Sequence, residues 1–130
     1  YKSLIESVPA KLDRGDFKQI KGNKYFEFKF TAANYDTKKV NFVQIRPWQN
    51  VDYVLEVLLP DNTICNFLIP SKAMKQLIKE HGGLAHGTKE STKNNKNKEY
   101  ALRPTIGDAL WCKIKKYKVS RSFLEENVYA

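Results

Sequence analysis

The chain reads as an α/β domain built on a mixed central sheet flanked by helices, and three observations predict it. Tyr25-Phe26-Glu27-Phe28-Lys29-Phe30 alternates strictly, as a strand with two different faces does. Residues 51–59 and 64–69 are apolar runs of strand-forming residues, and the first is dense enough for a strand covered on both sides. Met74, Leu77 and Ile78, and later Ile106, Leu110, Ile114 and Tyr117, recur at helical spacing. With 130 residues, 42% of them hydrophobic, a single domain over 1–130 with one core is expected.

The elements follow in order. Leu4, Ile5 and Val8 make one apolar stripe stopped by Pro9, so residues 1–8 are expected to be the last turns of a helix that carries Glu6. Residues 10–30 form a hairpin with its turn at Lys21-Gly22-Asn23-Lys24. Residues 31–41 are polar and turn-rich, hence a loop. Phe42 to Trp48 is either a short helical turn or an extended piece, limited by Pro47. Pro60-Asp61-Asn62-Thr63 turns the chain between the two apolar strands. Pro70 ends the second, Ser71 caps a helix over 72–80, and Gly82 and Gly83 end that helix. Residues 84–99 are polar and lysine-rich and predict a mobile basic loop. Tyr100 to Arg103 is a short strand. Helices follow from Thr105, the last opened by a capping box of Ser122 and Glu125.

Charge narrows the partner. Lys and Arg number 23 against 14 Asp and Glu, a net +9. That balance favours a polyanion, of which nucleic acid is the commonest; simple solubility is the plain alternative. An acidic membrane surface is disfavoured, since no long basic amphipathic helix dominates the charge, and no run of about 18 apolar residues offers a membrane span. The N-terminus has neither an initiator Met nor an apolar leader block, so a processed or trimmed chain, or a domain excised from a longer one, is expected. Cys65 and Cys112 are far apart in apolar contexts and read as buried free thiols of a cytoplasmic protein. No phosphate-binding GxxxxGK[ST] loop, GxSxG elbow or HExxH pair is present.

The hairpin holds the chemistry-bearing residues. If its turn centres between Gly22 and Asn23, Asp16 lies opposite Lys29 and Lys18 opposite Glu27. Asp16, Glu27 and Lys29 then share one face, and Phe26, Phe28 and Phe30 turn to the core. Asp13 is the competing first acid, but its distance from the turn is wrong for a place beside Glu27. Two carboxylates so placed can hold a hard divalent cation, and a lysine beside them can orient a water on it. The same residues also read as scattered charges on an exposed hairpin with one cross-strand ion pair.

Asp16, ten intervening residues, then Glu27-Phe28-Lys29 between apolar neighbours resembles the PD-(D/E)XK signature of restriction-endonuclease-like nucleases, with Gly15 where the name-giving pattern has Pro. Gln44-Ile45-Arg46-Pro47-Trp48 leading to Asp52-Tyr53-Val54-Leu55, then Phe67-Leu68-Ile69-Pro70-Ser71, resembles a pattern in some type II restriction endonucleases. The likeness spans residues 10–80. It implies a restriction-endonuclease-like mixed sheet in a single domain, and a Mg2+-dependent endonuclease that hydrolyses DNA phosphodiester bonds. Asp16 and Glu27 would hold the metal, with Glu6 as an additional acid. Lys29 would serve the attacking water, Gln44 would act near the scissile phosphate, and Arg46 would bind phosphate. A homodimer is a form in which such enzymes often cut both strands. The alternative is a non-catalytic, sequence-specific DNA-binding domain of a larger protein.

The basic loop supplies the remaining DNA contacts expected. His86, Thr88 and Lys89 suit backbone phosphates. Lys93, Lys96 and Lys98, interleaved with Asn94, Asn95 and Asn97, form a cationic, amide-rich arm, and Arg103 joins them from the strand beyond. A solvated linker is the competing reading of the arm.

Overall fold

The parallel pairing of two strands that are not neighbours in the chain organises the molecule. The structure, a computed structural model, describes residues 5–7, 17–19, 24–84 and 99–129. In chain order these form β1 (Ile5–Ser7), β2 (Phe17–Gln19), β3 (Tyr25–Ala32), β4 (Phe42–Ile45), β5 (Asp52–Leu58), β6 (Ile64–Ile69), α1 (Ser71–His81), β7 (Gly83–Leu84), β8 (Tyr100–Leu102), α2 (Ala109–Lys115), β9 (Lys118–Val119) and α3 (Arg121–Asn127). A six-stranded sheet runs β1-β2-β3-β5-β6-β9, and a three-stranded one runs β4-β8-β7. β3 and β5 are parallel; the other pairs are antiparallel. Parallel neighbours need a crossover. Here it spans residues 33–51 and carries β4, which leaves the main sheet to pair with β8.

Alternation along β5 feeds two cores. Tyr53, Leu55 and Val57 point to one face, with Cys65, Phe67 and Ile69 of β6. α1 covers that face with Met74, Leu77 and Ile78, α2 with Leu110, Trp111 and Ile114, and the second sheet with Phe42, Ile45 and Leu102. Val54 points the other way and joins Phe26 and, from α3, Leu124, with Val128 and Tyr129 just beyond it. The mixed sheet is therefore flanked by helices on both sides. No described helix is long and apolar enough to cross a membrane.

Several local expectations are corrected. Residues 5–7 form a strand, not the end of a helix: short helices depend on tertiary packing, and here pairing with residues 17–19 supplies ladder bonds instead. Phe30 is 56% exposed, because α3 is only seven residues long and the second core ends before it. Cys112 is exposed on α2, while Cys65 is buried. Ser71 is the first residue of α1 rather than its cap; its N–H donates to Asp52 Oδ1 at 2.9 Å, so a strand residue caps the helix from outside. Helical spacing from Ile106 begins too early: Gly107 takes φ +94°, and α2 starts after Asp108, whose carboxylate accepts from Trp111 N–H at 2.8 Å. The cap of α3 is Ser120, accepting from Phe123 N–H at 3.0 Å, and not Ser122. Between Leu84 in β7 and Glu99, the expected basic loop lies outside the described residues.

Candidate active site

β3 brings Glu27 and Lys29 to the face of the larger core. Lys29 Nζ lies 3.0 Å from Glu27 Oε1. The two are two residues apart on one strand, so the pleat itself places them side by side. Glu27 is only 8% exposed. A carboxylate so far from water is costly unless a partner offsets the lost hydration, and the Lys29 ammonium is that partner. The pair therefore lies within the fold and is not an open-face surface charge.

Register links the pair to the crossover. Glu27 stands beside Tyr53 in the parallel β3–β5 ladder, and Lys29 stands beside Leu55. The Tyr53 hydroxyl donates to the Arg46 carbonyl at 3.2 Å. Arg46 Nε in turn donates to Glu99 Oε2 at 3.0 Å. Glu27, Tyr53 and Arg46 thus follow one another from the sheet into the segment above it.

The hairpin register differs from the expected one. Lys18 pairs with Tyr25 and Phe17 with Phe26, so Lys18 is not opposite Glu27. The register is shifted by two residues, which pairs an aromatic position with an aromatic position and leaves every strand residue on its expected face, since the side-chain period is two. Asp16 lies outside the described residues, as does Asp13. Glu6 is in β1, opposite Lys18, and not on a helix.

Gln44 occupies an irregular turn of β4. Pairing with β8 shifts between Phe42 and Ile45, and Gln44 adopts φ +58°, in the left-handed region uncommon for residues other than glycine. Its side chain is exposed, beside that of Val43. Arg103 follows β8 and is exposed, lining a cleft with His81, Gly82, Gly83 and Asp108. His86, Thr88, Lys89, Lys93 and Lys96 lie outside the described residues. Lys113 Nζ donates to Glu80 Oε2 at 2.7 Å and lies 2.9 Å from His81 Nε2. The Lys113 ammonium, with the Gln76 amide, holds the Glu80 carboxyl down at about 2.

Magnesium prefers carboxylate oxygens, and Glu27 offers them. Among the described residues no group of three or more His, Cys, Asp or Glu is arranged to hold a metal ion. Asp16, the second carboxylate of the expected pair, lies outside the described residues. Tyr53 and Glu99 were not singled out by sequence reading. Tyr53 was hidden inside an apolar run. The basic side of α1, with Lys72, Lys75 and Lys79 at spacings of three and four, was legible but not used.

A scan of the chain against protein-family models finds no match, and a search of curated proteins finds none either.

Proposed function

We propose that the chain is a Mg2+-dependent endonuclease that hydrolyses DNA phosphodiester bonds, with Glu27 and Lys29 at its centre. The observation that carries the reading is the 3.0 Å approach of Lys29 Nζ to a nearly buried Glu27 carboxylate on a strand that follows a hairpin partner. The ammonium would offset negative charge that builds on a phosphoryl group, and the carboxylate beside it could take a divalent cation. The net charge of +9 suits the polyanionic substrate.

On this reading Glu27 and Asp16 would hold the metal, which when bound would supply an activated water and offset charge on the phosphate. Asp16 directly precedes Phe17, and Glu27 directly follows Phe17's partner Phe26; the reading requires that pairing to run on by one residue. Lys29 carries only donors, so its part is to hold the attacking water or a non-bridging phosphate oxygen. Gln44, exposed in its bulge, would contact the phosphate, and the Arg46 guanidinium, paired with Glu99, would have to exchange that carboxylate for a phosphate to do the same. Incubation of the protein with mixed-sequence plasmid and magnesium, read on a gel, tests the activity. Nicked or linear products that vanish with a chelator are expected, and intact plasmid at all magnesium concentrations would overturn the reading.

A second reading, a DNA-binding domain without catalysis, is favoured by the lysine row on α1. It predicts salt-sensitive DNA affinity with no dependence on Glu27.

A further inference from the structure

Two adjoining clefts meet at Gly82. One, of about 560 Å³, is lined by Pro47, Trp48, Lys75, Ile78, Lys79 and Tyr100. The other, of about 470 Å³, holds His81, Arg103 and Asp108. The first combines aromatic and cationic side chains in one hollow. Trp48 and Tyr100, both half-buried, bring aromatic rings to its wall. Lys75 and Lys79, both exposed, stand four residues apart on α1 and so on one side of it. Among the described residues neither Lys79 nor Arg103 has a carboxylate partner. The nearby acids are engaged: Glu80 with Lys113, and Glu99 with Arg46.

The chain connects the cleft to the candidate active site. Pro47 and Trp48 follow Arg46 directly, and the Arg46 carbonyl is the one held by Tyr53, the ladder neighbour of Glu27.

We propose that the cleft of Trp48, Tyr100, Lys75 and Lys79 binds one unstacked nucleotide of DNA, its base against the aromatic rings and its phosphate on the lysines. Every base has a π face, so aromatic walls accept any of them, while ammonium groups follow the backbone. A double helix offers no free base face. The site therefore selects single-stranded or locally opened DNA. The inference rests on DNA as the substrate, and not on cleavage.

The test uses a thymidine 15-mer, whose bases stack little on one another, and reads tryptophan emission. Trp111 is buried edge-on against Phe67, with ring centroids 5.6 Å apart, so quenching reports on Trp48. The expected result is saturable quenching at low salt that weakens as salt rises. Trp48→Phe removes the quench, and Lys79→Glu raises the dissociation constant about tenfold. Absence of quenching in the wild type, or equal affinity in a folded Lys79→Glu variant, would overturn the proposal. Should Trp48→Phe fail to fold, the wild-type titration and Lys79→Glu decide alone. Quenching by a protein that leaves plasmid intact in magnesium keeps the cleft and removes the nuclease reading. Plasmid cleavage without quenching does the reverse.

Discussion

Lys29 holds its ammonium 3.0 Å from the Glu27 carboxylate on the same strand, and Glu27 is almost out of reach of water. Removing the ammonium takes away a charge that offsets the lost hydration of the Glu27 carboxylate. Lys29→Met should therefore cost about 2 kcal/mol of stability, by analogy with other broken low-exposure pairs. The double variant Glu27→Gln, Lys29→Met should recover most of that loss. Urea denaturation of the four species measures the coupling, and strictly additive losses would contradict it.

The cap of the last helix gives a sharper local test. Ser120 accepts from Phe123 N–H and holds the start of α3, which carries Leu124 onto Phe26 and Val54. Ser120→Ala should cost about 1 kcal/mol, while Ser122→Ala should stay within about 0.5 kcal/mol of wild type. The reverse order in thermal or urea unfolding would contradict the assignment.

Both serines were visible in the sequence, and the wrong one was chosen there for a physical reason. Ser122 has a Glu three residues on; Ser120 has Phe123, and its role comes from the extended backbone left by β9. The same contrast runs through the molecule. β5, β6 and α1 were legible because each carries its own periodicity over six or more residues. β4 and β1 are four residues or fewer and exist through partners elsewhere in the chain, so nothing local fixes them, whereas the strand at Tyr100–Leu102 is legible from its own residues. For the site, period two alone placed Glu27 and Lys29 on one face. Their burial depends on what packs over β3, and the pairing of Lys18 with Tyr25 depends on register, neither of which a single strand encodes.

Glu80 supplies the pH dependence. Lys113 and Gln76 hold its carboxyl near 2, below the ordinary value of 4.5. A carboxyl lowered in the folded state stabilises the fold above its unfolded value and loses that contribution as pH falls from about 4.5 through about 2. The NMR titration of Glu80 Cδ should show the low midpoint in the wild type and a return toward 4.5 in Lys113→Met. An unchanged midpoint in that variant would remove Lys113 as the cause.

Gln44 separates strain from chemistry. Its φ of +58° suits glycine, so Gln44→Gly relieves the backbone while adding freedom to the unfolded chain. The two effects oppose, and stability should change by less than about 1 kcal/mol. If the amide contacts the phosphate, DNA cleavage should nevertheless fall by about tenfold or more. Unchanged cleavage would confine Gln44 to shaping the bulge.

Plasmid cleavage by Glu27→Gln in magnesium tests whether the proposed phosphodiester hydrolysis depends on the Glu27–Lys29 pair. Glu27→Gln keeps the side chain's size and one acceptor oxygen but removes the charge that would hold the metal. The account predicts loss of cleavage by at least about a hundredfold, with oligonucleotide affinity retained and circular dichroism unchanged. Cleavage at the wild-type rate by the folded variant would contradict it.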